Sequence, residues 1–120
     1  MILLKEYIKN HPTNDINWDN CTILLSKINI IRYLYNKPMY VTSGYRPEAY
    51  NVKIGGSKSS AHIDCLAIDI KDDGFIKNWI KKNIPLIERL GFYFEDFAYT
   101  AEWVHFTIRK PNSGKRFFIP

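Results

Sequence analysis

The chain has 120 residues, with 17 Lys and Arg against 12 Asp and Glu, so its formal net charge is +5. Its three histidines and two cysteines exclude a four-cysteine zinc ribbon and an iron–sulfur cluster, and their spacing does not fit a paired Cys/His finger. Hydrophobic residues make up 46% and charged residues 24%, which is typical of a globular domain, and no stretch approaches the roughly 20 apolar residues that cross a membrane. A metal site in this chain must therefore include carboxylates.

A long helix is predicted in the first third of the chain. Apolar residues recur at helical spacing over residues 19–35. Asp19 and Asn20 are both candidate caps for its first turn, because short polar side chains accept hydrogen bonds from the free N–H groups there. The Asn36-Lys37-Pro38 segment is predicted to end the helix, since proline cannot continue it.

The next region predicts a strand, a short helix and a loop. Residues 40–42 are typical of a short strand, and a turn at Ser43-Gly44 follows. Pro47 suits the first position of a helix that runs to about Lys53. Residues 54–60 are rich in Gly and Ser and are predicted to form a flexible loop.

The middle of the chain predicts a second strand and a second long helical region. Residues 66–70 alternate, with Ala67 and Asp69 on the face opposite the larger apolar residues, which predicts a half-buried strand. Asp72 or Asp73 is then expected to cap a helix. Its apolar stripe is predicted to consist of Phe75, Ile76, Trp79 and Ile80.

The last third completes the predicted fold. Pro85 should break and restart the helix, and Gly91 should close the second piece. Three further strands are predicted, the last of them at a sheet edge: residues 92–95, 103–108 and 117–119. The expected fold is a single α+β domain over residues 1–120, in which helices flank a small, mostly antiparallel sheet.

Two segments hold candidate metal ligands, His62 with Asp69 and Glu102 with His105. A catalytic zinc takes three protein ligands, keeps an open position for water and has a base nearby to accept that water's proton. Two imidazoles and two carboxylates offer this set. Each histidine alone is more often a core or surface residue, so the interpretation depends on the four together.

The spacing within these segments constrains their geometry. His62 and Asp69 are seven residues apart, which is about 10 Å along a helix and places them on opposite faces of a straight strand. The chain must therefore turn between them. Glu102 has the opposite strand parity to His105, so it can face a shared metal only if it lies at the junction of loop and strand.

Together these motifs resemble a known family. Ser-x-His-x6-Asp followed by Glu-x-x-His, and preceded by Ser43-Gly44-Tyr45-Arg46 and a Gly-Gly loop, is similar to the M15 family of zinc D,D-peptidases. That family includes D-Ala-D-Ala carboxypeptidases, VanX-like dipeptidases and phage endolysin-type L-alanyl-D-glutamate peptidases. The resemblance runs from Ser43 to about Arg109 and implies a hedgehog/D,D-peptidase-like fold. It also implies zinc-dependent cleavage of the peptidoglycan stem peptide, and the compact size resembles the phage and prophage lytic enzymes.

The resemblance also implies residue roles. The implied Zn²⁺ ligands are His62, Asp69 and His105. Glu102 matches the general base that activates the zinc-bound water, and Arg46 matches the arginine that polarises the substrate or steadies the oxyanion. Ser60 would hydrogen-bond substrate or orient the loop, and a purely structural role in the turn is an equal alternative.

One residue departs from the family pattern, because Cys65 stands where the family usually has glycine. Glycine there would suit a backbone turn that side chains resist. Cys65 also shares strand parity with Asp69, so one alternative is a closed structural site in which its sulfur is a fourth zinc ligand. A buried packing thiol is the commoner use of such a cysteine.

Competing functions follow from the same residues. The expected partner is the peptidoglycan stem peptide, acted on by a monomer or a virion component that is made in the cytoplasm without a signal peptide and reaches the cell wall after release. The alternative is a non-catalytic zinc-containing module for wall binding or virion structure, although the presence of Glu102 and Arg46 favours an enzyme. A Cys65–His62 nucleophile pair would leave the other candidate ligands without a role. Nucleic acid is not an expected partner, since no basic cluster with a reading helix is visible, and membrane insertion is not expected, since no apolar run is long enough.

Overall fold

The computed structural model describes residues 1–120, which form five helices and five strands. The helices are α1 (Leu4–Ile8), α2 (Trp18–Tyr35), α3 (Glu48–Lys53), α4 (Ile76–Lys82) and α5 (Ile84–Leu90). The strands are β1 (Val41–Ser43), β2 (Ala67–Lys71), β3 (Tyr93–Glu95), β4 (Trp103–Thr107) and β5 (Phe117–Phe118). A 3₁₀ turn, Phe97–Tyr99, lies between β3 and β4. None of the helices combines the length and the apolar character that a membrane span requires.

The five strands form one sheet in the order β1-β2-β4-β3-β5. The β1–β2, β2–β4 and β3–β4 pairs are antiparallel, whereas β5 runs parallel to β3 at the edge. The sheet is thus mixed but mostly antiparallel, and the predicted α+β class is confirmed. The predicted edge strand at the C-terminal end is also confirmed.

The register of the two central strands separates an apolar face from a polar one. Ile68 pairs with Phe106, and both side chains are fully buried in the core that the helices cover. The next pair, Asp69 and His105, points to the opposite face, because successive side chains of a strand alternate. The polar face of the sheet is therefore centred on a carboxylate and an imidazole.

The prediction of a half-buried β2 is wrong, since its first four residues are all buried. A half-buried strand would leave the face that holds Asp69 open to solvent. Instead, the side chains of His62, Arg46 and His105 surround the Asp69 carboxylate. All three groups lie outside β2, so the alternation within this strand could not reveal them.

The long helix α2 begins one residue before its predicted start. Its cap is Asn17, whose side-chain oxygen accepts a hydrogen bond from the backbone N–H of Asn20 at 3.0 Å, so neither Asp19 nor Asn20 fills this position. Asn36 ends the helix in the left-handed conformation, as the breaking segment predicted. The short helix α1 was not predicted, and β1 lies one residue later than expected.

Although Phe75 occupies the N-cap position itself, the side chain of Asp73 caps the first turn of α4, as predicted. Its Oδ1 accepts hydrogen bonds from the backbone N–H groups of Phe75 and Ile76, both at 2.9 Å, and its Oδ2 accepts one from the Tyr35 hydroxyl. Phe75, predicted in the apolar stripe, precedes the helix and is 63% exposed. Pro85 lies in the first turn of α5, and Gly91 ends that helix in the left-handed region, as predicted.

The cap predicts a measurable loss of stability on mutation. We expect Asp73→Ala to lower the free energy of unfolding by about 1 kcal/mol, because two backbone N–H groups lose their acceptor. Asp73→Asn keeps an acceptor and should cost less. Urea denaturation at neutral pH measures both variants, and equal losses would show that the charge rather than the cap matters.

The pH dependence of the same variants tests the charge. Burial opposes ionisation of Asp73, but hydrogen bonds from Tyr35 and from backbone N–H groups outweigh it and hold the pKa below its ordinary value of 3.8. The stability that ionised Asp73 contributes is thus complete above the unfolded-state pKa and is lost as the pH falls through the lower folded-state pKa. The difference between wild type and Asp73→Asn should narrow below pH 3.8.

Candidate metal centre

Three side chains predicted as metal ligands lie together on the polar face of the sheet. Nδ1 of His105 is 2.8 Å from Oδ1 of Asp69, and Nε2 of His62 is 3.3 Å from Oδ2 of Asp69. One ligand atom from each of the three residues lies within 4.8 Å of the others. All three residues are buried, so this arrangement offers two imidazole nitrogens and one carboxylate oxygen in a confined space.

A turn in the chain brings His62 to Asp69, as the spacing predicted. The backbone N–H of Leu66 donates to the carbonyl of Ala61 at 2.9 Å and closes the turn. Cys65, within the turn, has a φ of +58°, the left-handed conformation that glycine adopts at little cost. The expectation that this position suits glycine is thus confirmed by the backbone itself.

The orientation of the His62 ring is fixed by a hydrogen bond at Nδ1, the nitrogen that does not face Asp69. Its Nδ1 lies 2.8 Å from the carbonyl oxygen of Gly44. A carbonyl can only accept, so Nδ1 donates this hydrogen bond and Nε2 is the ring nitrogen that faces Asp69. The hydrogen bond to Gly44 therefore orients Nε2 as the nitrogen that would bind a metal.

Gly44 is held in turn by the short N-terminal helix. The carbonyl oxygen of Tyr7 accepts a hydrogen bond from the backbone N–H of Tyr45 at 2.9 Å. A Cβ on Gly44 would lie 2.1 Å from that same oxygen, which is far inside contact distance. The close approach of α1 to this backbone therefore requires glycine, and through the Gly44 carbonyl it positions His62.

Asp69 is ionised in this environment. Burial opposes its charge, but hydrogen bonds and charges from His105 and His62 outweigh that effect and hold the pKa of Asp69 well below its usual range. The Arg46 guanidinium lies 3.7 Å away and favours the same state. A carboxylate ligand must be deprotonated to bind a metal, and Asp69 meets this requirement.

Arg46 and Ser60 both lie at this site. Nε of Arg46 donates to the hydroxyl of Ser43 at 3.0 Å, and Nη1 donates to the side-chain oxygen of Asn51 at 3.5 Å. Ser60 accepts a hydrogen bond from the backbone N–H of His62 at 3.3 Å. Ser60 thus contacts the loop that carries a ligand, and both residues line the cleft described below.

The structure does not bring the Glu102 side chain to the cluster. Glu102 lies in the turn before β4, at the predicted junction of loop and strand, and its backbone carbonyl accepts a hydrogen bond from the N–H of Asp72. Its side chain is exposed and lines a separate depression with Thr42, Lys71 and Gly74. Its position in the chain matches the expectation, but its direction does not.

A different carboxylate, absent from the sequence-based site, lies near the cluster. Oε1 of Glu95 is 3.9 Å from Nε2 of His105. Phe94 pairs with Phe106 in the core, so the next residue on each strand, Glu95 and His105, meets on the cleft face. The alternation of Phe94 and Glu95 is visible in the sequence, but the register that places them beside β4 is not.

The cluster opens into a cleft of about 850 Å³. Four basic residues line this cleft: Arg46, Arg109, Lys110 and Lys115. Three carboxylates also line it: Asp69, Glu95 and Asp96. The volume of the cleft is within the usual range of ligand sites, and side chains of both charges are available to bind a polar ligand.

Cys65 does not belong to the metal cluster. Its thiol is buried in the core beside Cys21 and Tyr7, and it is not among the residues whose ligand atoms converge. The hydrogen bond with Cys21 and then burial raise the pKa of the Cys65 thiol. A protonated thiol is a poor metal ligand and a poor nucleophile, so a closed four-ligand site and a Cys65–His62 nucleophile pair are both disfavoured.

Comparison with known proteins gives one match. The sequence model of a family described as Peptidase M15 matches residues 4–106. No curated protein and no solved structure matches this chain. The matched region contains the whole His62–Asp69–His105 cluster together with the α1 segment that supports Gly44.

The contact between Gly44 and Tyr7 predicts a loss of metal affinity from a single methyl group. We expect Gly44→Ala to displace the carbonyl that holds His62 and to weaken zinc binding about 10- to 100-fold. Gly74→Ala is the control for a general loss of stability, because its φ of +85° strains an alanine, whereas a Cβ there meets open space and Gly74 lines a different depression. Competition with a chromophoric chelator measures the affinities, and an equal effect of both variants would contradict the assigned role.

The left-handed turn predicts an unusual order of stability at position 65. Glycine should be more stable than alanine there by about 1 kcal/mol, because the left-handed conformation penalises a Cβ. We therefore expect Cys65→Gly to unfold at higher urea concentration than Cys65→Ala, with zinc affinity unchanged in both. Weaker zinc binding by both variants would instead indicate that the thiol contributes to the site.

Proposed function

The chain belongs to the Peptidase M15 family, and we propose that it is a zinc-dependent peptidase that hydrolyses a peptide bond in the stem peptide of bacterial peptidoglycan. The observation that carries this proposal is the convergence of His62, Asp69 and His105 at the inner end of an open cleft. The family supports peptide hydrolysis, and the cluster supports metal dependence. The bond, the substrate and a lytic role for a phage or prophage are proposals drawn from the resemblance.

The donor set fits zinc in a catalytic rather than a structural site. Two imidazoles and one carboxylate are three protein ligands, which leaves a tetrahedral ion one open position. The hydrogen bond to Gly44 turns Nε2 of His62 toward the cluster, and Asp69 is ionised, as a carboxylate ligand must be. When bound, zinc supplies Lewis acidity, which polarises a carbonyl and lowers the pKa of water to about 7.

Arg46 would stabilise negative charge on the substrate. Its guanidinium is half-buried, is held by Ser43 and Asn51 and lines the cleft beside Asp69. Because its position is fixed before substrate arrives, little reorganisation is needed when negative charge develops on the carbonyl oxygen. Ser60, on the loop that carries His62, is placed to contact the same substrate.

A carboxylate must accept the proton of the attacking water, and the resemblance assigns this role to Glu102. The Glu102 side chain is exposed and points into the separate depression, so this role requires the turn before β4 to reorient when substrate binds. Catalytic contacts often tighten only in the complex, which makes such a rearrangement compatible with the assignment. Glu102 therefore stays our proposed general base.

The substrate proposal is supported by charge. The chain carries a net charge of +5, and three of its basic residues, Arg109, Lys110 and Lys115, line the cleft together with Arg46. Stem peptides carry free carboxylates, and the bacterial wall is anionic. Complementary charge accelerates the encounter and orients an acidic peptide along the cleft.

A non-catalytic zinc-containing module for wall binding or virion structure is the second candidate. The observation that favours it is the position of Glu102, whose side chain does not line the cleft. Such a module would keep His62, Asp69 and His105 for stability and would have no use for a base.

Hydrolysis of defined muropeptides separates the two candidates. We expect zinc-loaded protein to cleave one stem-peptide bond, identified by mass spectrometry of the fragments. His62→Ala should lose both zinc and activity, whereas Glu102→Gln should retain zinc and lower kcat by at least about 100-fold. Zinc-loaded protein that binds isolated cell wall but leaves every muropeptide uncut would instead support the non-catalytic module.

A further inference from the structure

Glu95 is a carboxylate at the metal centre to which neither the family motifs nor the proposed function assigns a role. It is the last residue of β3, and its side chain lines the cleft. Its Oε1 lies 3.9 Å from Nε2 of His105, and the side chains are 23% and 10% exposed. The carboxylate thus lies at the edge of the cluster, largely shielded from solvent.

The two nitrogens of His105 face different carboxylates. Nδ1 lies 2.8 Å from Oδ1 of Asp69 and so points into the cluster. Nε2 lies 3.9 Å from Oε1 of Glu95. The ionised Asp69 carboxylate can only accept, so Nδ1–H donates to it in this structure. A metal bound by Nδ1 would take the place of that proton, and the single ring proton of the neutral imidazole would then be on Nε2.

His62 shows the same principle with a different partner. Its Nδ1–H donates to the carbonyl of Gly44, which leaves Nε2 free to face Asp69. Ligating histidines usually donate their second N–H to a carbonyl or a carboxylate, which fixes both the tautomer and the ring orientation. Gly44 provides that acceptor for His62, and Glu95 is the acceptor placed for His105.

We propose that Glu95 is a positioning residue that accepts a hydrogen bond from Nε2–H of His105 and thereby presents Nδ1 of His105 to the metal. The proposal rests on the metal-binding part of the proposed function. The separation of 3.9 Å exceeds an ordinary hydrogen bond by about 1 Å. A small rotation of the glutamate side chain, or one bridging water, closes this gap.

The surroundings favour a positioning role over a role in proton transfer. Glu95 approaches Nε2 of His105, whereas Asp69 contacts Nδ1, and Glu95 is not among the three residues whose ligand atoms converge. The Phe118 ring packs edge-on at 6.4 Å from the His105 ring and adds an apolar wall beside it. A charged acceptor in such a shielded place strengthens a hydrogen bond from the imidazole.

Zinc affinity and the tautomer of His105 test this proposal without any measurement of hydrolysis. We expect Glu95→Ala to weaken zinc binding about 10- to 100-fold, and Glu95→Gln, which keeps an oxygen acceptor, to recover part of the loss. Asp96→Asn is the matched control, because it removes a neighbouring charge that lines the same cleft and should leave the affinity unchanged. In ¹⁵N NMR spectra of zinc-loaded wild type, His105 should carry its proton on Nε2.

Several outcomes would overturn the proposal. One is zinc bound through Nε2 of His105, and another is Glu95→Ala protein that binds zinc as wild type does but fails to cleave peptides, which would place Glu95 in proton transfer. Equal losses of affinity in Glu95→Ala and Asp96→Asn would indicate a general effect of charge. If zinc affinity and tautomer behave as expected while no muropeptide is cut, the proposed function fails and the role of Glu95 stands.

Discussion

The pairing of Asp69 with His105 across the central strands is the interaction on which the rest of the site depends. The neighbouring pair, Ile68 and Phe106, fixes this register, because a shift by one residue would place Asp69 in the apolar core and Ile68 in the cleft. The cost of such a shift includes burying an ionised carboxylate among hydrocarbon side chains. Core packing on one face of the sheet therefore specifies the geometry of the charged cluster on the other.

An ionised carboxylate at the centre of a sheet requires partners, and these partners explain why the loops close over it. Asp69 is 6% exposed, so it has lost most of its contact with water. His105, His62 and Arg46 replace that solvation. Arg46 comes from the segment that follows β1, and His62 comes from the turn that precedes β2. The turn with His62 is held in place by Gly44 and, behind it, by α1. The electrostatics of one side chain thus links the sheet to the N-terminal segment.

The sequence was sufficient to predict those features that depend on neighbouring residues alone. Strand alternation placed Asp69 and Ile68 on opposite faces, odd spacing required the turn after His62, and Pro85 and Gly91 marked the last helix. Prediction failed for features that depend on contacts between residues far apart in the sequence. The helix α1 has only five residues, too few to be stable alone, and depends on packing against the backbone near Gly44. The position of Glu95 depends on the β3–β4 register, and the direction of Glu102 depends on the conformation of a turn.

The turn before β2 has one side in the core, where Cys65 packs, and another side at the cleft, where His62 lies. The backbone at Cys65 adopts the left-handed conformation at a cost of about 1 kcal/mol for a side chain other than hydrogen. The thiol offsets that cost because it is fully buried beside Cys21 and Tyr7, whereas glycine would leave this space empty. Three residues earlier, His62 faces the cleft. The side chain at position 65 therefore affects how the core fills beneath the turn and lies apart from the three ligands that converge at the cleft.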